Sequence, residues 1–258
     1  MRSLKWLSHL ETLTISAGPQ LTDSGLENLR KLPQLQRLWI IGGRSITDAG
    51  LDSVGTLPRL RELTILTSSV TAAGLRHIEQ FHNLRRLVLM DSPVSNAGLE
   101  RLKHLSGLRV LVLNDACVTD AGLRHIGAMT ELRALSLDDT NVGDAGMEYL
   151  RGLTKLRSLS LRGTRVGDAG LKSVSALTQL EQLDLHGTKA SDAGLLHLEA
   201  LTRLRGLDLT GTKVSTAGND SFRGLAQFRN LRADCSSYLA TEVIVRGRGW
   251  VYTDPFDN

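Results

Sequence analysis

One short run of residues, typified by Ile-Thr-Asp-Ala-Gly-Leu at 46–51, returns along this chain at an almost constant interval, and no other feature constrains the fold as much. Its glycines stand at Gly25, Gly50, Gly74, Gly98, Gly122, Gly146, Gly170, Gly194 and Gly218, with one step of 25 residues and seven of 24. A self-similar period of this size specifies a stack of identical coils and excludes a compact fold with one central core. Between the glycines Leu-x-x-Leu-x-Leu recurs, at Leu84, Leu87 and Leu89, at Leu108, Leu111 and Leu113, and at Leu132, Leu135 and Leu137. Each coil buries its apolar side only against its neighbours, so the 258 residues need not be divided into globular domains.

One repeat read residue by residue gives the local structure. From Leu132, the alternation puts Leu135 and Leu137 on one face and Ala134, Ser136 and Asp138 on the other, which is the period of a strand. A turn follows, in which a hydroxyl recurs at Ser68, Ser92, Thr140, Thr164, Thr188 and Thr212, with Ala116 as the one interruption. These hydroxyls are expected to satisfy backbone groups of neighbouring coils. Ahead of each Asp-Ala-Gly or its variant stands Thr22, Thr47, Thr71, Ser95, Thr119, Gly143, Gly167, Ser191 or Ser215, all types favoured at a helix N-cap. The acidic residues that follow, Asp23, Asp48, Asp120, Asp144, Asp168 and Asp192, are read as first-turn carboxylates that gain roughly 0.3–1 kcal/mol from the helix dipole. They are not read as calcium ligands, since calcium-binding solenoids repeat every nine residues or so. A glycine inside each helix weakens it, so its recurrence predicts close packing of adjacent helices.

The frame Leu-x-x-Leu-x-Leu-x-x-Thr-x-Val-x-Asp-Ala-Gly-Leu-x-x-Leu-x-x-Leu runs from Leu156 to Leu177 with Val174 as its one substitution. It resembles the leucine-rich repeats of the cysteine-containing and bacterial GALA-like class, the type also found behind F-boxes. The resemblance covers residues 1 to about 232. It implies an α/β solenoid with a parallel sheet on the concave face and helices on the convex face, and a protein-binding arc that in some members is a ubiquitin-ligase substrate receptor. No F-box is read ahead of the repeats in these 258 residues, so the ligase reading is expected to lack its central part. About ten strands are expected, one for each of the strand leucines Leu13, Leu38, Leu63, Leu87, Leu111, Leu135, Leu159, Leu183, Leu207 and Leu231.

The ends depart from the frame. Leu4, Leu7 and Leu10 match Leu29, Leu32 and Leu35 at a shift of 25, so Met1 falls inside a repeat. A second copy, an upstream segment or a partner is therefore expected to cover the first coil. At the other end Asn219, Phe228 and Ala233 break the pattern, and Thr241–Val245 and Trp250–Tyr252 flank Arg246-Gly247-Arg248-Gly249 as a short hairpin. The division expected is a solenoid over 1–232 and a capping segment over 233–258.

Cys117 and Cys235 lie almost five coils apart, on the order of 24 Å at about 4.8 Å per strand, which is beyond disulfide reach. With Lys5, His9 and Glu11 near the start, no signal peptide is read, and no segment has membrane-spanning length. The expected location is the cytoplasm. Net charge is +4 with both signs interspersed, which makes no claim for nucleic acid or membrane.

Catalysis finds little support. Ser160, Asp184 and His186 share a neighbourhood and the composition of a triad, but an open sheet supplies no pocket and no oxyanion donors. His77, His125 and His197 occupy one helix position in coils too far apart to share a metal. No phosphate-binding glycine loop or zinc spacing occurs, so neither cofactor nor metal is expected. Arg61, Arg85, Arg109, Arg133, Arg157 and Arg205 form an edge column that a polyanion such as nucleic acid or a phosphoinositide could follow. Glu11, Gln36 and Glu181 interrupt it and aromatic stacking partners are few, so a solvated, partly ion-paired edge is the preferred reading.

The outward strand positions carry the functional expectation, because the repeat imposes no identity there. Trp39, Ile41, Leu66, Val88, Met90, Val110 and Val112 make the first half apolar, whereas Ser136, Asp138, Ser160, Asp184, His186 and Asp208 make the second half polar and acidic. Exposed apolar side chains in contiguous coils predict a protein partner. Asp184 and Asp208 are expected about 5 Å apart and in need of a cation, supplied by Arg162 or by a basic residue of the partner.

Overall fold

The computed structural model describes residues 9–16, 21–215, 218 and 230–232. Ten strands form one parallel sheet in chain order: β1 Thr12–Ser16, β2 Arg37–Ile41, β3 Glu62–Leu66, β4 Arg86–Met90, β5 Val110–Val112, β6 Ala134–Ser136, β7 Ser158–Ser160, β8 Gln182–Asp184, β9 Gly206–Asp208 and β10 Asn230–Arg232. Between them run α1 Asp23–Leu26, α2 Asp48–Val54, α3 Ala72–Leu75, α4 Asn96–Leu102, α5 Asp120–Ile126, α6 Asp144–Leu150, α7 Asp168–Val174 and α8 Asp192–Leu195. The ten strand leucines expected from the sequence pair in series, Leu13 with Leu38 at one end and Leu207 with Leu231 at the other. The fold is thus the α/β repeat solenoid that the period specifies.

Register is set by the backbone as well as by leucine. The carbonyls of Arg61, Arg85, Arg109, Arg133 and Arg157 each accept two N–H groups from the next coil, as when Arg85 and Arg86 both donate to the Arg61 oxygen, at 2.7 and 3.1 Å. Pairing then continues past the shorter strands: Asp115 N donates to Asp138 O and Asp139 N to Arg162 O. One continuous core of leucine, isoleucine and valine fills the space between sheet and helices, with Leu38, Leu63, Leu87, Leu111 and Leu135 all at most 1% exposed.

The helix starts revise the capping expectation. The N-cap residues are as read, yet among the described residues only Thr47, Thr71 and Ser215 accept from the backbone that follows, at Ala49 N, Ala73 N and Gly218 N. The acidic residue instead reaches forward to the next coil. Asp23 accepts from Thr47 N and from Thr47 Oγ1, at 2.9 and 2.6 Å, and Asp48, Asp168 and Asp192 treat Thr71, Ser191 and Ser215 the same way. Asp120 and Asp144 accept from Gly143 N and Gly167 N, each at 2.6 Å. Asn96 takes the place of an aspartate, accepting from Thr119 N and donating to Thr119 Oγ1.

This carboxylate ladder explains the glycine of Asp-Ala-Gly. A Cβ on Gly146 would stand 2.6 Å from Asp120 Oδ1, and one on Gly170 would stand 2.7 Å from Asp144 Oδ1. The helices pack closely, as expected, and the atom that demands the glycine is the preceding coil's carboxylate.

The turn hydroxyls also differ from expectation. Thr140, Thr164, Thr188 and Thr212 each donate to a carbonyl of their own coil, three residues back. Only Ser68 and Ser92 join across coils, at 2.8 Å. Residues 1–8 and 233–258 lie outside the described residues, and with them the uncovered first coil and the C-terminal cap. Among the described residues no helix is long and apolar enough to cross a membrane.

Candidate functional site

The concave face is three rows deep. One row runs Arg37, Glu62, Arg86, Val110, Ala134, Ser158, Gln182 and Gly206. The middle row is Trp39, Thr64, Val88, Val112, Ser136, Ser160, Asp184 and Asp208. Beyond it stand Ile41, Leu66 and Met90, and then, where the inter-coil pairing continues past the strands, Asn114, Asp138, Arg162, His186 and Thr210. All fourteen outward residues singled out in the sequence, Arg162 among them, therefore share this face.

Their exposure is not what the sequence predicts. Val88, Met90, Val110 and Val112 are buried, none above 7% exposed, and they form a second apolar cluster with Ala134, against which Leu66 packs. Strands about 4.8 Å apart bring same-row side chains flank to flank, so a branched residue is covered by its neighbours on both sides. The accessible apolar surface is confined to the half-buried Trp39, Ile41 and Leu66. On the helical side Tyr149 and Leu196 are 48% and 67% exposed.

In the second half the polar residues bind one another. Ser136 Oγ donates to Asn114 Oδ1 at 2.6 Å, Asn114 Nδ2 donates to Asp138 Oδ2 at 3.1 Å, and Ser160 Oγ donates to Asp138 Oδ1. Burial pushes the Asp138 carboxyl up to about 7, against the lowering effect of the Ser160 hydroxyl and with a further raise from the charge of Asp184. Asn114 is the member of this network that sequence reading missed. Its signal was present: an amide at a concave position directly after three apolar ones, Ile41, Leu66 and Met90.

Asp184 and Asp208 do not wait for an outside cation in the manner expected. Each carboxylate turns back to the backbone two residues on, Asp184 Oδ1 accepting from His186 N at 2.8 Å and Asp208 Oδ1 from Thr210 N at 2.9 Å. Burial raises the Asp184 carboxyl above the usual carboxylate range. The His186 N–H opposes that, the Asp208 charge adds to it, and Arg162 and His186 pull it down. Arg162, half-buried on the neighbouring strand line, thus supplies part of the compensation from within the chain. The three residues with triad composition are not connected as one: the Ser160 hydroxyl is held by Asp138, and Asp184 is bonded to the His186 backbone.

The arginine column is tied into the edge. Arg85 Nη1 donates to the carbonyls of His82 and Gly107, each at 3.2 Å, while Arg157 and Arg205 flank Glu181 at 3.7 and 4.0 Å. Lys155 pairs with Glu131 at 2.5 Å nearby.

The chain is similar in structure to an internalin, inlF, from Listeria monocytogenes, with a TM-score of 0.64 and 22% identity over 90% of this chain and 70% of that one. It is also similar to internalin C2 from the same organism, with a TM-score of 0.61 and 20% identity over 83% and 84% of the two chains. At these identities the likeness shows the shared fold. No curated protein matches in sequence. The family described as leucine-rich repeat region matches residues 83–244, more than half of the sequence, and the chain belongs to the leucine-rich repeat family.

Proposed function

We propose that this chain is a non-catalytic module that binds a partner protein through its concave face. Within the family, its Asp-Ala-Gly frame supports the cysteine-containing and bacterial GALA-like, F-box-associated class of repeats, in which a substrate-receptor role in a ubiquitin-ligase-type assembly is one use of such a face. The observation that carries the reading is the change of chemistry along a surface whose residues the repeat leaves open. Trp39, Ile41 and Leu66 offer half-buried apolar edges over β2–β3, and Arg162, Asp184, His186 and Asp208 offer half-buried charged and polar groups over β7–β9. About seven strand steps separate β2 from β9, on the order of 34 Å, which accommodates a standard interface of about 800 Å² per partner. A cytoplasmic setting fits the exposed thiol of Cys117.

The test is affinity for a partner captured by the unaltered chain. Trp39→Ala and Asp184→Lys should each weaken binding by about tenfold or more, while Tyr149→Ala and Leu196→Ala on the helical side leave it unchanged. The reverse pattern would move the interface to the convex helices.

A further inference from the structure

Polar side chains of the second half of the concave face are joined in a network, but two in the first half are not. Trp39 Nε1 and Thr64 Oγ1 are both shielded from solvent and have no hydrogen-bond partner. They stand side by side, since Trp39 on β2 and Thr64 on β3 are register partners about 4.8 Å apart. Thr64 is only 3% exposed, and its other register neighbour is Val88. A buried donor without an acceptor loses its hydration with nothing in return, so valine would suit position 64 better on packing grounds alone. Unsatisfied groups of this kind call for a reason outside the fold.

We propose that Trp39 and Thr64 form a two-donor anchor for the carboxylate of an Asp or Glu side chain of the partner protein. This rests on the concave-face reading above and adds the partner's chemistry and direction. The indole N–H can only donate, and the threonine hydroxyl can donate to the same oxygen pair. Both atoms are shielded in the unbound chain, so engaging the carboxylate requires the half-buried Trp39 ring to turn within its broad χ2 well, presenting its N–H and uncovering Thr64 beside it. The neighbouring row carries Arg37, Glu62 and Arg86, two cations to one carboxylate, and favours an anion beside it. On the other side Ile41 and Leu66 flank the anchor with apolar surface that strengthens a hydrogen bond made there. The acidic residues Asp184 and Asp208 lie five coils or more further on. A partner with an acid over β2–β3 and a base over β8–β9 therefore fits in one direction only.

A displayed library of random linear peptides, selected on the whole chain, tests this. Recovered peptides are measured against the unaltered chain, Trp39→Phe, Thr64→Val and Asp184→Lys. The expected result is an acidic residue at a fixed place in the peptides, with binding about tenfold weaker in Trp39→Phe, in Thr64→Val, and when that acid is changed to its amide. Thr64→Val should at the same time melt higher than the unaltered chain. Peptides that depend on Asp184 but ignore Trp39→Phe and Thr64→Val would overturn the anchor and leave the concave reading standing. Binders indifferent to all three variants, or none at all, would overturn both. A lower melting temperature in Thr64→Val would show that the hydroxyl serves the fold, and would also overturn the anchor.

Discussion

The coils carrying β1–β4 and those carrying β6–β9 share one frame, yet they satisfy their polar groups differently. In the later coils every turn threonine bonds a carbonyl of its own coil, the left-handed turn residue is Asp139 in the first of them and Gly163, Gly187 or Gly211 after it, and Asp120, Asp144, Asp168 and Asp192 keep the helix ladder unbroken. The earlier coils carry Gly42, Thr67 and Asp91 at the left-handed position and Ala72 where the ladder needs a carboxylate. They also leave Trp39 Nε1 and Thr64 Oγ1 unpaired among apolar neighbours. The contrast separates what the repeat requires from what it permits. Leucine register and the inter-coil backbone bonds persist throughout, whereas rungs, turn residues and concave side chains can lapse where lateral apolar packing compensates.

The largest effect expected from this contrast concerns the helix glycines. An alanine at 146 would place its Cβ 2.6 Å from Asp120 Oδ1 and 2.9 Å from Leu123 Cδ1, and that carboxylate is held by Gly143 N at 2.6 Å. At Gly98, beside Ala72, the nearest atom is Leu75 Cδ1 at 2.9 Å, the free end of a side chain that can turn away. Gly146→Ala should therefore cost about 2–4 kcal/mol and Gly98→Ala about 1 kcal/mol, read from denaturant midpoints. Equal losses would mean that the carboxylate rung does not dictate the glycine.

Next in size is a pH effect centred on the later coils. The Asp138 carboxyl rises from 3.8 to about 7 on folding, so between those values the folded chain holds a proton that the unfolded chain has released. Stability from this group is fully present below pH 4 or so and is lost as pH rises through about 7. Asp184, Asp115 and their raised carboxyls act in the same sense, with Arg162 opposing at Asp184. Asp138→Asn should flatten the fall in stability between pH 4 and 8, and at pH 8 it should be more stable than the unaltered chain by roughly 2 kcal/mol. Identical pH profiles for the two chains would show that Asp138 is ionised in the fold.

Much of this was legible in sequence because the repeat averages over its own copies. Nine Asp-Ala-Gly variants locate the helices, and ten leucines fix the sheet register, which could be read to the residue. The forward reach of Asp23 or Asp168 was not legible, since an acid after an N-cap fits a dipole explanation equally well within one helix. Only the spacing of neighbouring coils reveals the second partner. The same holds for the concave face: Val88, Val110 and Val112 point outward as the alternation dictates, but whether an outward valine is exposed depends on its neighbours across the sheet. The Asn114–Asp138–Ser160 network was likewise hidden, because its members are 22 to 24 residues apart and meet only through the register.

A smaller effect should follow from mending the ladder. Ala72 stands one coil before Ser95, whose side chain makes no cap hydrogen bond, and Gly98 leaves the space a carboxylate occupies in other coils. Ala72→Asp should stabilise the chain by about 1 kcal/mol, and Asp168→Ala, which removes the rung to Ser191, should cost a similar amount or more. If Ala72→Asp destabilises while Asp168→Ala does little, the rungs are decoration on a stack held by its core.

The smallest expected effect tests whether Thr67 strains a left-handed turn position that Gly42, Gly163, Gly187 and Gly211 fill without a side chain. Thr67 has φ of 58°, a conformation that brings a β-branched side chain against its own backbone, and the equivalent residues Gly187 and Gly211 have φ of 67° and 70° without a Cβ to strain. Changing Thr67 to glycine relieves that strain but frees the unfolded chain, so the net gain is about 0.5–1 kcal/mol. The reciprocal change is informative because Gly187 has space: its added Cβ would meet nothing nearer than Gly163, at 3.8 Å. Gly187→Ala should then lose about 1 kcal/mol from backbone conformation alone, without any clash. At Gly163 an added Cβ would run into the Asp139 carboxylate, so Gly163→Ala should lose more than Gly187→Ala. Melting temperatures in the order Thr67→Gly, unaltered chain, Gly187→Ala, Gly163→Ala would place strain at this one turn position among the costs of the earlier coils. A Thr67→Gly chain that melts lower would mean that Thr67 makes a contribution in its turn that outweighs its backbone strain.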